Sequence, residues 1–182
     1  MNQIERRDAG LAYIADNAVF EEMQKCKGIL QKLNFIDRRD ADGISKLVKE
    51  LFGKSEGAFV NPPFFCDYGS HIEVGKNFFA NYNCSLIDVA KIKIGDNCML
   101  APNVAIYTAG HPVHPVSRNS AYEYVSSPFY LLGTGKAILS QAITIQSQLP
   151  RSCQVSVSVQ MWYQSVRCRL VLWIIECVLP GI

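Results

Sequence analysis

Apolar residues near the start of the chain recur at intervals of three and four positions. Between residues 18 and 33 they are Val19, Met23, Cys26, Leu30 and Leu33. This spacing predicts an amphipathic helix, and Asp16 or Asn17 can cap its first turn. A second stripe comprises Ile44, Leu47, Val48, Leu51 and Phe52. It predicts another helix that ends at Gly53, so two short helices are expected before the pattern breaks at Asn61-Pro62-Pro63.

From Val74 to His111 the apolar positions follow neither a helical nor a strand period, but they recur every six residues. Six hexads fit, and the extra pair Ile92-Lys93 separates them into two sets of three. The first position is always apolar: Val74, Ala80, Leu86, Ile94, Leu100 and Ile106. The fifth position is small or apolar in five hexads, and the sixth carries glycine: Phe78, Cys84, Ala90, Cys98, Val104 and Gly110.

Short internal repeats of this kind predict a solenoid. Each hexad can form a short strand whose first residue points inward, followed by a turn rich in Gly, Asn and Asp. Stacked coils bury a continuous apolar column that no single repeat could bury alone. The predicted fold class is therefore mainly β: a left-handed parallel β-helix preceded by a small N-terminal two-helix segment. An ordinary β-sandwich is the alternative, but its turns would come about every 8 to 12 residues.

Composition and charge narrow the possible partners. The 182 residues carry 18 Lys and Arg against 16 Asp and Glu, so the net charge of +2 predicts neither a nucleic-acid partner nor a membrane surface. The longest apolar stretch, residues 170–179, contains Glu176 and is too short to span a bilayer. The charged N-terminus leads into no apolar segment and predicts no secretory signal. Seven cysteines without a C-x-x-C pair predict reduced thiols, a cytoplasmic protein and no metal site.

Several blocks inside and outside the hexads are distinctive when they occur together. They are Leu11-Ala12-Tyr13-Ile14-Ala15-Asp16, Cys66-Asp67-Tyr68-Gly69-Ser70, Asn77-Phe78-Phe79-Ala80-Asn81-Tyr82-Asn83, Ile94-Gly95-Asp96-Asn97, Ala101-Pro102-Asn103, His111-Pro112, Arg118-Asn119-Ser120 and Glu123-Tyr124. In this order they make the chain resemble the maltose/galactoside O-acetyltransferase family of hexapeptide-repeat acyltransferases, over about residues 5 to 124. The resemblance implies a homotrimeric enzyme that transfers acetyl from acetyl-CoA to a hydroxyl of maltose, glucose or a galactoside.

The resemblance also implies catalytic roles. In that family the histidine of the His-Pro pair is the general base, which places this role on His111. An imidazole with an ordinary pKa near ~6.5 can accept a hydroxyl proton at neutral pH while the oxygen attacks the thioester. Glu123 lies where the family often has an acid, which would fix the imidazole tautomer and stabilise the imidazolium. His71 is expected to be a partly exposed strand residue, and His114 a solvated loop residue.

Substrate contacts follow from the same resemblance. Asp16, Asp67, Asn81 and Asp88 match positions where the family binds the sugar, and carboxylates and amides suit this because each can hold one or two hydroxyls. The alternative for the residues in turns is that they only make local hydrogen bonds, as most aspartates there do. Thr134 lies near the position of a small residue that contacts acetyl-CoA.

The resemblance is lost after Glu123-Tyr124. Relatives continue with further hexads that carry most of the acetyl-CoA contacts, whereas residues 149–182 contain no hexad. We therefore divide the chain into a helical segment at 1–57, a β-helix at 58–145 and a divergent tail at 146–182. Alternating apolar residues such as Val155 and Val157 would fit one or two strands. We favour a reading-frame error as the explanation, because the resemblance is lost abruptly while the preceding half of the chain is intact.

Two other functions stay open at this stage. The first is a catalytically inactive, truncated repeat protein that acts only in assembly, because an uncovered coil edge invites association. The second is a zinc-dependent lyase of the carbonic-anhydrase type, which also uses a left-handed β-helix and needs three histidine ligands. The chain has three histidines, His71, His111 and His114, but their spacing does not resemble that pattern.

Overall fold

The computed structural model describes residues 1–112, 114–125 and 128–131, and the backbone of 137–139, 159–163 and 166–170. Its helices are α1 (Gln3–Asp8), α2 (Asn17–Phe35), α3 (Ala41–Leu51) and α4 (Pro115–Arg118). The two predicted helices are α2 and α3, and the Asp16 carboxylate caps α2 by accepting a hydrogen bond from the Val19 amide (3.1 Å). The sequence did not predict α1, because six residues are too few to show a helical period. Within the described ranges, every helix is too short or too polar to cross a membrane.

The strands are short and follow one another closely. They are β1 (Tyr13–Ile14), β2 (Lys54–Glu56), β3 (Phe59–Val60), β4 (Phe64–Cys66), β5 (Ile72–Lys76), β6 (Phe79–Ala80), β7 (Cys84–Ile87), β8 (Ile92–Ile94), β9 (Cys98–Leu100), β10 (Ala105–Tyr107), β11 (Ala109–Gly110), β12 (Tyr122–Val125), β13 (Phe129–Leu131), β14 (Ala137–Leu139), β15 (Val159–Tyr163) and β16 (Val166–Leu170). Three parallel ladders run β2-β5-β8-β13, β3-β6-β9-β14 and β4-β7-β10. Successive strands along the chain belong to different ladders, so the backbone winds as a parallel β-helix.

The hexads mark the inside of this winding. Every first and fifth hexad position is buried, as the six-residue pattern predicts. Matching residues of adjacent coils are separated by twenty positions, as in the pairs Asn77 with Asn97 and Asn83 with Asn103. A coil therefore needs three hexads and two further residues, which explains the extra pair Ile92-Lys93. The inward column joins the buried faces of α2 and α3 in one core.

Asparagines make the corners between strands. Asn77, Asn83, Asn97 and Asn103 have φ between 57° and 62°, in the left-handed region. Asparagine tolerates this region better than other residues with a Cβ, which explains its recurrence at the fourth hexad position. The side-chain amides also stack: Asn77 Nδ2 donates to Asn97 Oδ1 (3.0 Å) and Asn83 Nδ2 to Asn103 Oδ1 (2.7 Å). The corner residues thus hold neighbouring coils in register.

The predicted boundary between residues 57 and 58 falls between β2 and β3, whereas the one between 145 and 146 lies outside the described residues. Strand β2 precedes the boundary at residue 58 and already pairs in parallel with β5, so the stacked ladders begin at Lys54. Beyond residue 131 the described backbone comprises β14, which pairs in parallel with β9, and the antiparallel pair β15 and β16. The division at 57 and 145 and the reading-frame hypothesis stay predictions.

Candidate active site

A small antiparallel sheet brings distant parts of the chain to one edge of the β-helix. Strand β12 lies between β1 from the N-terminus and β11 from the last hexad. In this sheet Glu123 lies opposite Tyr13, and Tyr124 lies opposite Gly110, the residue before His111. The strand register therefore places the carboxylate of Glu123 beside the imidazole of His111.

His111 and Glu123 are in direct contact through Nδ1 and Oε2. The imidazole is 54% exposed, whereas the carboxylate is 24% exposed. A carboxylate can only accept a hydrogen bond, so the contact favours a proton on Nδ1 and leaves the lone pair of Nε2 free. Oε1, the other oxygen of Glu123, faces Arg118 Nη1 at 3.8 Å. The structure thus brings together the two residues that the sequence predicted as catalytic.

The predicted substrate residues occupy different settings. Asp16 caps α2 and is exposed. Asn81 lies in the turn after β6, where its Oδ1 accepts a hydrogen bond from the amide of Tyr82 (2.8 Å). Asp67 is half-buried, and its carboxyl has a raised pKa because of burial and the nearby Asp88, with Lys27 acting in the opposite direction.

Asp88 lies in the interior rather than at the surface. Its Oδ1 accepts hydrogen bonds from the amides of Asp67 and Tyr68, each at 2.9 Å, so it shapes the turn that carries Asp67. Its Oδ2 finds no partner among the described residues. Burial raises the pKa of this carboxyl against the lowering effect of the amide hydrogen bonds. A direct contact between Asp88 and a sugar stays a prediction.

Sequence reasoning missed the buried Arg7. Its guanidinium is 1% exposed, pairs with Glu22 (2.8 Å) and Asp8 (2.9 Å), and lies over the ring of Tyr68 at 4.6 Å. The ring of Tyr68 stacks on His71, and the Nδ1 of His71 lies 2.7 Å from the carbonyl oxygen of Asp88. Arg7 therefore joins α1 and α2 to the turn that carries Asp67. One arginine in a short charged helix looks like a surface residue, so no sequence signal could have found it.

His114 is exposed and precedes α4 without a side-chain capping bond. Thr134 lies outside the described residues. In the part of the chain that the structure describes, three or more His, Cys, Asp or Glu side chains never come together in a way that could hold a metal ion.

We expect Asp67→Asn to stabilise the fold at neutral pH. A carboxyl whose pKa rises on folding binds its proton more tightly in the folded state, so the wild-type free energy of unfolding falls as pH rises through that range. Asparagine removes this penalty. Urea unfolding followed by circular dichroism should show an advantage for Asp67→Asn at about pH 7 that shrinks towards about pH 3. An advantage that grew towards acid pH would contradict the cause given for the shift.

The stacked six-residue coils place this chain in the class of hexapeptide-repeat acetyltransferases. A solved maltose O-acetyltransferase from Clostridium difficile 630 superimposes with a TM-score of 0.69 at 39% identity, covering 80% of this chain and 81% of that one. A galactoside acetyltransferase in complex with coenzyme A gives a TM-score of 0.66 at 35% identity, covering 70% and 64%. Nodulation protein L of Rhizobium meliloti (strain 1021) is 35% identical over 123 residues, which are 66% of this chain and 67% of that protein.

The chain belongs to the galactoside/maltose O-acetyltransferase family. It spans between about a third and two thirds of the length of the other curated relatives that it matches, with 49%, 65% and 52% in three of them and 36% and 40% in two more. A scan against protein-family models returned no match. The predicted family is therefore confirmed by individual relatives and solved structures.

Proposed function

We propose that this protein transfers the acetyl group of acetyl-CoA to a hydroxyl of a sugar such as maltose, glucose or a galactoside. The observation that carries the proposal is the contact between His111 Nδ1 and Glu123 Oε2 in a chain of this family. A histidine held by a carboxylate can act as a general base. The sugar hydroxyl then attacks the thioester directly, and the reaction needs no covalent enzyme intermediate. The coenzyme A in the related galactoside acetyltransferase structure supports the donor.

His111 moves the proton in the proposed reaction. Its free Nε2 accepts the proton of the sugar hydroxyl while the sugar oxygen forms a bond to the thioester carbon. The carbon–sulfur bond then breaks, and the imidazolium returns its proton to the departing thiolate, so protons and charge balance. Glu123 holds the tautomer and stabilises the imidazolium between these two steps. More than half of the imidazole is exposed, which leaves room for both substrates at Nε2.

Acceptor recognition falls to the polar residues near the first coils. Asp67 and Asn81 lie at turns of successive coils, and Asp16 lies at the start of α2, so their oxygens can bind sugar hydroxyls. Asp88 acts here mainly through Asp67, because its Oδ1 holds the amides of that turn. Burial raises the pKa of the Asp67 carboxyl, and a hydrogen bond from a bound sugar hydroxyl would offset part of the cost of burying its charged form.

Assembly into a homotrimer is part of the proposal. Phe59, Phe79 and Met99 are in register on the outward face of one ladder, and the rings of Phe59 and Phe79 stack at 6.3 Å. Partly exposed apolar side chains in a row favour burial against another subunit. We also infer a left-handed winding of the coils and a position in the cytoplasm. The second inference rests on free, buried thiols such as Cys26 and Cys66.

An acetylation assay tests the proposal. The full chain is incubated with acetyl-CoA and, in turn, maltose, glucose or a methyl galactoside, and the sugars are analysed by mass spectrometry while free thiol is measured. We expect an acetylated sugar in an amount equal to the thiol released. Thiol release without an acetylated sugar, or no reaction with any acceptor, would overturn the proposal, and the second result would favour the assembly protein.

A further inference from the structure

Hydrogen bonds order the turn between the two proposed catalytic residues, His111 and Glu123. Helix α4 follows His114, and the Arg118 amide donates to the carbonyl oxygen of His114 (2.9 Å). The hydroxyl of Ser120 donates to the carbonyl oxygen of Ser117 (2.6 Å). Ala121 then adopts a φ of 61°, in the left-handed region that a residue with a Cβ rarely occupies. This turn sends the chain back along β11, so that Arg118 and Glu123 come to the same side.

Each oxygen of Glu123 has its own partner. Oε2 contacts the imidazole of His111, and Oε1 lies 3.8 Å from Nη1 of Arg118. A carboxylate with one partner can rotate about its terminal torsion, because that torsion is broad. A cation on the second oxygen restricts this rotation and keeps Oε2 directed at Nδ1.

We propose that Arg118 is a positioning residue, which holds the Glu123 carboxylate in the orientation that fixes the His111 tautomer. The effect of Arg118 on kcat rests on the proposed function, whereas its effect on the His111 tautomer is independent of catalysis. Arg118 acts through Glu123, since no contact joins it to the imidazole among the described residues. Arg118 orients Glu123 rather than stabilising the fold, because an exposed ion pair adds little to the free energy of unfolding.

Nitrogen NMR of the histidines tests the role without an assay. The chain has three histidines, so a spectrum of nitrogen-15 histidine-labelled protein can be assigned with single His variants. At an alkaline pH beyond which the histidine signals no longer change, so that the neutral rings are observed, His111 of the wild type should show a protonated Nδ1 and a bare Nε2. In Arg118→Met the two nitrogen signals of His111 should move towards a mixture of tautomers, while those of His71 and His114 stay in place.

Kinetics supply the second readout. Arg118→Met should lower kcat by roughly five-fold, the scale of one exposed ion pair, with little change in KM for either substrate. In a Glu123→Gln background the same substitution should have no further effect, because the group that Arg118 orients is already lost. Arg118→Lys should restore part of the loss. The control is Arg39→Met, which removes a remote exposed pair with Asp37 (2.6 Å) and should change neither readout.

The two proposals fail in different ways. If the wild type acetylates no sugar, the proposed function is lost, but the NMR spectrum still decides the role of Arg118. Identical His111 signals in the wild type and Arg118→Met would overturn that role. So would equal losses of kcat from Arg118→Met with and without Glu123→Gln. Shifts in the signals of all three histidines would show that Arg118→Met has lost structure generally. Arg118→Lys then decides the question. Unchanged His111 signals in Arg118→Lys would support the role, and loss of the tautomer preference would overturn it.

Discussion

Replacing His111 by alanine should lower kcat for acetyl transfer by roughly 10² to 10⁴-fold, the range that a general base contributes. Alanine leaves no group to accept the hydroxyl proton, so the sugar oxygen must attack the thioester while still protonated. The fold should persist, because the imidazole is 54% exposed and lies at the rim of the β-helix. Steady-state rates with acetyl-CoA and the best acceptor measure the effect.

His114→Ala is the matched control for this substitution. His114 lies three residues further on, is exposed, and makes no side-chain capping bond to α4. Its replacement should leave kcat within about two-fold of the wild type, as expected for a surface side chain. Equal losses from the two variants, or full activity of His111→Ala, would remove His111 from the reaction.

The largest expected effect on stability comes from Phe64→Ala. Phe64 is 0% exposed, packs on the ring of Phe52 (centroids 5.7 Å apart), and lies where the helices meet the first coil. Removing the ring leaves a cavity between two rigid layers, so the free energy of unfolding should fall by about 3–5 kcal/mol. Urea unfolding followed by circular dichroism measures the change.

Phe65→Ala is the control for Phe64→Ala, because it removes the same side chain one position later. Phe65 points outward from the same strand and is 42% exposed. Its loss should cost less than about 1 kcal/mol, since little packing disappears. A similar loss in the free energy of unfolding for both variants would contradict the burial pattern, in which Phe64 points inward and Phe65 points outward.

The β-helix could be predicted from the sequence because the six-residue pattern that specifies it is local. A hexad places its first residue inward wherever it occurs, so Val74, Leu86 and Ile106 could be assigned to the core without knowing their neighbours. The corner asparagines follow from the same rule, since a left-handed φ at the fourth position favours Asn. The amphipathic helices α2 and α3 were equally accessible, because their apolar stripes have a fixed period.

The candidate site was accessible only through its resemblance to a family. His111 and Glu123 are separated by a turn with no repeat, and nothing in that segment shows by itself that their side chains meet. Arg7 could not be found at all: its burial depends on Glu22 in another helix and on the ring of Tyr68 in a distant turn. These contacts join parts of the chain that share no local pattern.

The sequence by itself determined the coils, the two main helices and the identity of the residues that can carry a proton or bind a hydroxyl. Only the tertiary structure decided which of those residues work together. Strand β12 pairs with both β1 and β11: the first pairing sets Tyr13 opposite Glu123, and the second brings the Glu123 carboxylate to His111. The same packing encloses Asp88 and leaves Asp67 half-buried. The physical reason is that a repeat fixes the direction of a side chain relative to its own backbone, whereas its partners depend on how separate segments pack.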